Sequence, residues 1–343
     1  MTTDKTVWVD YVKGIGIILV VLGHVIRGLD SAGLDIPYFK EVDTVIYSFH
    51  MPLFFFISGM FFTQSFNKRG AKGLTFTKID ILVYPYVVWS LLQGSIEVLL
   101  SAYTNGDVSM LRVLSLWSPR AQFWFLHVLF IIFALSSLIF YLSGKRGALV
   151  LSAFSFGLFF LQNIPSVSPN FEYLYHQFSN HFIYFTLGIL YVQVTNNKVM
   201  TPLKLPFTFA LSLFLLVQYV LLSEWSYTSA LWFKLTVGII SIAFVIKLAQ
   251  LFDALRFTAI YLIGIASMEI YLIHILTGSG ARVALFKLGV EQVYVHILIG
   301  TAMGILIPMA FKSVCQFFGV KYLYSAPISR LFSRQIETKQ AQP

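Results

Sequence analysis

The sequence predicts an all-α, polytopic membrane protein of about ten transmembrane helices, and three observations carry that expectation. Of the 343 residues, 57% are hydrophobic and only 11% are charged, where a soluble domain carries about 25% charged residues. Mean hydropathy is +0.78. Apolar stretches long enough to cross a bilayer, about 20 residues each, fill the chain from end to end, and no polar linker between them could hold a soluble domain. One membrane domain over residues 1–324 and a short cytoplasmic tail over 325–343 are therefore expected.

The first span, 8–28, is an Ile, Leu, Val and Gly series. It lacks a basic n-region and an Ala-x-Ala site, so it reads as an uncleaved helix. The second, 44–66, is rich in Phe; His50 falls in its outer turn just before Pro52, a place where proline is tolerated. Lys68, Arg69, Lys72 and Lys78 then read as a cytoplasmic loop before the third span, 79–103. Spans 121–143 and 147–163 are divided by Lys145 and Arg146, with Pro165 near the end of the second of them. The segments 173–195, 205–223, 229–250, 257–280 and 291–318 complete the set, and the stretch Gly264 to Gly280 is a candidate break. Eleven helices is the alternative count.

Charge placement gives the orientation. With the N-terminus inside, sixteen of the 24 basic residues fall on the cytoplasmic side and six on the outer side, while Lys13 and Lys234 lie within spans. The positive-inside rule then gives N-in and C-in. A net charge of +9 has this explanation rather than nucleic-acid binding, because the basic residues are scattered over short loops. The single Cys315 excludes an internal disulfide and a Cys-rich metal site; no metal is expected.

Ionisable groups at bilayer depth cost roughly 2.5 kcal/mol or more each, so they usually face a partner, a cavity or a substrate path. The first span holds Asp10, Lys13 and His24. Lys13 and His24 are eleven residues apart, which at ~100° per residue returns them to nearly one helix face, about 16 Å apart along the axis. All seven histidines fall in the outer half of the membrane or at its edge on this topology, and His24, His50, His127 and His274 are candidates for a shared polar chamber. Gln93 and Glu97 form an i, i+4 stripe on the third span. Glu269 lies deep in the ninth and must be paired or protonated there; His274, five residues on, is off its face.

Five segments in order carry a resemblance. They are Asp10-Tyr11-Val12-Lys13-Gly14 with His24; Phe49 to Gly59; Tyr84 to Trp89; Phe123-Trp124-Phe125-Leu126; and Ser267 to His274. Together the set resembles the acyltransferase-3 family of integral membrane O-acyltransferases, whose first helix carries a basic residue, ten residues, then histidine. The resemblance implies transfer of an acyl group, commonly acetyl from acetyl-CoA, to a hydroxyl of an extracytoplasmic or lipid-linked carbohydrate, in a bacterial inner membrane.

On that scheme His24 is the general base or a transient acyl carrier, and Asp10 holds the Lys13 ammonium. Lys13 meets the CoA phosphates, with Lys68, Arg69 and Lys78 in support. His50, Trp124, Glu97, Glu269 and His274 are the acceptor-side candidates. The family often has arginine at the Lys13 position; a lysine gives a point charge without the planar fork. Acyl-CoA, the glycan, the bilayer and glycan-assembly proteins are the partners expected. A different class, a transporter or flippase for a glycolipid or small solute, would also use polar groups in an apolar interior.

Overall fold

The computed structural model describes residues 7–101, 108–162, 169–195, 203–223 and 226–329. Pro165, the end of the tail, and the basic residues Lys5, Lys198, Arg330, Arg334 and Lys339 lie outside the described residues. All regular structure among the described residues is helical; the ten expected segments overlap helices there, with 44–66 and 257–280 each running across two. Among the described residues, six runs are long and apolar enough to cross a membrane, or seven if one bent pair is a single span. One of the six, Ala121–Phe160, contains Gly144 at φ 53°.

The chain forms two compact units. The first comprises Met1–Met60 and Leu190–Ser313. It holds α1 (Val7–Asp30), α2 (Phe39–Met60), α9 (Phe207–Leu222), α10 (Leu231–Ala254), α11 (Thr258–Ile265), α12 (Ser267–Lys287) and most of α13 (Val293–Phe317). Helix α1 packs against α2, α10, α11 and α12. The closest approach is to α11: a methyl on Gly14 would overlap the Ile260 carbonyl, and one on Gly264 would overlap the Asp10 carbonyl. Two facing glycines thus let the backbones meet, as small residues do between membrane helices.

The expected break in the ninth span is found at Ala266, where α11 and α12 bend by 84°. The second span differs from its expected form. Helix α2 starts at Phe39 and stops at Met60, so His50 sits in mid-helix rather than in an end turn, and Pro52 lies inside the helix. The polar residues Lys40, Glu41 and Asp43 hid this start, because a search for apolar length ends where helix propensity does not.

The second unit comprises Phe61–Ile189 and Val314–Pro343. It holds α3 (Phe62–Lys78), a π-turn (Ile79–Val83), α4 (Tyr84–Leu99), α5 (Met110–Leu114), α6 (Trp124–Ser143), α7 (Gly147–Phe160) and most of α8 (Pro169–Val194). Phe62 is fully buried and meets Phe140 at 4.9 Å and Phe185 at 5.6 Å, ring centre to ring centre. The basic stretch expected as a loop is helix α3. It contains no proline, and Gly70 at φ 67° takes up a kink, so the backbone bonds of a helix are available whatever the side-chain charge.

After α13 the chain is tied to this unit. Tyr84 donates to the Tyr322 carbonyl at 2.6 Å and Trp89 to the Leu323 carbonyl at 3.0 Å. The Asp80 carboxylate accepts from the Ser329 backbone N–H at 2.8 Å and from its hydroxyl at 2.5 Å.

Candidate active site

One turn into α1, Asp10 and Lys13 form an i, i+3 ion pair at 2.6 Å, with the lysine side chain 32% exposed and the aspartate 13%. The helix then runs eleven residues to His24, about 16 Å of axis. Over that distance the wall is apolar, with Ile17, Val20 and Val21 buried.

At the far end three histidines come together. The His24 and His274 ring centres are 5.1 Å apart, and Tyr47 stands edge-on to His24 at 6.5 Å and to His50 at 4.5 Å. Carbonyls only accept, which fixes where the protons are. His274 Nδ1 donates to the Ile270 and Tyr271 carbonyls at 3.0 and 2.8 Å, leaving its Nε2 as a buried acceptor with no partner among the described residues. His50 Nδ1 donates likewise to the Ile46 carbonyl at 2.7 Å. Both tautomers are set by the backbone one turn earlier on their own helices.

A cavity of about 210 Å³ opens beside His24 and His274. Its wall includes Val21, Val25, Gly28, Arg282 and His296. Arg27, also on the wall, is held by Asp43 through Nε at 2.5 Å and a terminal nitrogen at 2.8 Å, and its guanidinium lies 3.2 Å from the Tyr47 ring centre. Such a bidentate pair fixes Arg27 and, with it, the ring between the two histidines.

Glu269 does not line this cavity. Its carboxylate pairs with the Lys312 ammonium at 2.7 Å, joining α12 to α13. The pairing expected of a buried glutamate is present, and its partner is a lysine that the sequence placed at the cytoplasmic surface.

The remaining candidates belong to the second unit. Lys68 and Arg69 are exposed on α3. Lys78 is half-buried, with its ammonium 3.8 Å from the Phe133 ring centre. Glu97 pairs with Arg120 and accepts from Gln93 at 2.8 Å, and Gln122 donates to Gln93 at 2.8 Å. Trp124 begins α6 and meets the His181 ring at 5.2 Å, while His127 packs edge-on to Tyr86 at 5.5 Å.

Sequence reasoning singled out His24, His50 and His274, which the first unit brings together. It missed Tyr47, Lys312 as the partner of Glu269, and Arg282 and His296 as cavity-wall residues. A signal for Arg282 existed: His274, Gly278 and Arg282 recur every four residues and form one stripe of α12.

The family model described as an acyltransferase domain matches residues 6–312, which include every residue named for the site. Among curated proteins, the chain is 28% identical over 206 residues to the nodulation protein NolL of Mesorhizobium japonicum, covering 56% of this chain and 49% of that one. It is 29% identical over 210 residues to the nodulation protein NolL of Sinorhizobium fredii, covering 59% and 52%. The chain spans about half the length of the curated relatives it matches. No solved structure matches.

Proposed function

The chain belongs to the acyltransferase-3 family of membrane acyltransferases, and from that premise we propose that it moves an acyl group, acetyl in the first instance, from acyl-CoA on the cytoplasmic side to a hydroxyl of an extracytoplasmic or lipid-linked carbohydrate. The observation that carries this reading is the build of α1. One helix holds the Asp10–Lys13 pair near one end and presents His24 to a cavity near the other.

In the transfer, the acceptor oxygen attacks the thioester carbonyl, so that a C–O bond forms as the C–S bond breaks. The hydroxyl proton passes to the neutral His24 imidazole and from there to the departing thiolate, releasing CoA as the thiol. If His24 attacks first, the acyl group rests on its ring nitrogen before the hydroxyl takes it. Lys13, oriented by Asp10, attracts the CoA phosphates; Lys68, Arg69 and Lys78 are further phosphate-contact candidates, borne by the second unit. His274 and His50 hold the acceptor near His24; Trp124 and Glu97 are the further sugar-contact candidates, and Glu269 keeps α12 seated on α13.

The excess of cytoplasmic basic residues supports an N-in, C-in chain. Bacterial relatives support a bacterial inner membrane as its place. The 84° bend at Ala266 favours the rival transporter reading, since discontinuous helices build many transport sites.

One experiment separates the two. Protein reconstituted in lipid is given acetyl-CoA and a panel of glycans, and free CoA is measured for the native chain, His24→Ala and Lys13→Ala. Acceptor-dependent CoA release that His24→Ala abolishes supports the transferase. Solute movement with no CoA release from any acceptor overturns it in favour of the transporter.

A further inference from the structure

We infer that the cavity beside His24 is built for an anionic group of the acceptor, a carboxylate or a phosphate, bound by Arg282. In calling that group part of the acceptor we rest on the acyl-transfer reading; the anion site itself stands on the cavity.

Arg282 is 9% exposed and lies on the cavity wall. Among the described residues its hydrogen bond is to the Gly28 carbonyl. A guanidinium has five N–H donors and no acceptor, so most of its donors are left for whatever fills the space. No Asp or Glu lines the cavity among the described residues, and the other arginine there, Arg27, is already neutralised by Asp43. A cation this buried without a carboxylate is costly unless an anion joins it.

The rest of the wall matches such a ligand. His274 Nε2 and His296 Nδ1 are buried with no partner among the described residues. Both line the cavity. His296 Nε2 donates to the Val290 carbonyl at 2.7 Å, so Nδ1 is left to accept, as hydroxyls require. The wall therefore offers one strong donor group for an anion and two acceptors for hydroxyls.

The spacing is that of a single sugar ring. Gly28, which holds Arg282, is one helical turn beyond His24, about 6 Å along α1. A hydroxyl at His24 and a carboxylate or glycosyl phosphate at Arg282 can then belong to the same pyranose.

The test uses the reconstituted full chain with three probes: methyl β-glucuronide, glucose 1-phosphate and methyl β-glucoside. Affinity is read calorimetrically, and CoA release from acetyl-CoA is read in parallel. The native chain is expected to bind at least one anionic probe about tenfold tighter than the neutral one. Arg282→Gln abolishes the difference and Arg282→Lys keeps part of it. Ser279→Asp, which sets a carboxylate on the same wall while sparing the Gly28 contact, also weakens anion binding and covers the case in which Arg282→Gln fails to fold.

The tighter of the two anionic probes identifies the source, uronic acid or glycosyl phosphate. Equal affinity for all three probes, binding of none, or discrimination that survives both Arg282→Gln and Ser279→Asp overturns the anion site. Anion binding without CoA release leaves the site standing and removes the transferase; CoA release with the neutral sugar alone does the reverse.

Discussion

Beside His24 a second imidazole stands 5.1 Å away, its proton held on the far nitrogen by two backbone carbonyls. His274 therefore accepts and cannot donate toward the cavity unless it gains a proton. On the proposed transfer His24 is the base, so His24→Ala is expected to lower acceptor-dependent CoA release by about 10²–10⁴-fold, measured in proteoliposomes at saturating acetyl-CoA. His274→Ala, by contrast, should raise the acceptor KM more than it lowers kcat if, as proposed, His274 positions the acceptor. Lys13→Ala raises the donor KM and leaves the acceptor KM unchanged; a change in the acceptor KM alone would remove the lysine from the CoA side.

Much of this was legible residue by residue. A histidine or lysine in an Ile, Leu and Val run stands out because its burial is expensive, which is how Lys13, His24 and Glu269 were found. Tyr47 and Arg282 carry no such mark. An aromatic residue and an arginine near a helix end are ordinary at a membrane boundary, and only folding brings Tyr47 against His24 and His50, and Arg282 to the cavity wall.

Between elements, polar contacts decide how helices seat. Glu269 and Lys312, 12% and 22% exposed, join α12 to α13. Removing one member strands the other, so Glu269→Ala or Lys312→Ala should cost about 3–5 kcal/mol, whereas Glu269→Leu with Lys312→Met recovers most of it. Thermal unfolding in detergent, with CoA release as a second reading, checks both. At the α1–α11 crossing the contact is backbone to backbone, and Gly264→Val should push the helices apart and lower the yield of folded protein. Size-exclusion profiles after mild detergent extraction report the outcome.

The all-helical character was legible in the sequence, because apolar length and helix formation coincide for a span, and six runs among the described residues are long and apolar enough to cross a membrane. Sequence reasoning misread the stretch at residues 67–78, where apolar length and helix formation part: the charges of Lys68, Arg69 and Lys72 argue against a deeply inserted span but do not prevent a helix, which is kinked at Gly70. The early start of α2 at Phe39 escaped for the same reason.

For the whole molecule, N-in and C-in orientation is open to direct measurement. A tag before Val7 and another after Ser329 should both be cleaved by protease only from the cytoplasmic side of intact spheroplasts or vesicles. Opposite sides for the two tags would mean an odd number of crossings and overturn the topology. Helix α1 also has a consequence for the order of synthesis. It leaves the ribosome before the helices that pack on it; α2 follows at once, but α10, α11 and α12 come about 200 residues later. At roughly 5–20 residues per second this is a wait of about 10–40 s. Throughout that interval the helix must rest in the bilayer without these three neighbours. Asp10 is only three residues from Lys13, so the counter-charge travels with the lysine and is in place as soon as the first turns form. The pair is a travelling chaperone of one side chain for another, fitting the helix for insertion before there is any site for it to serve.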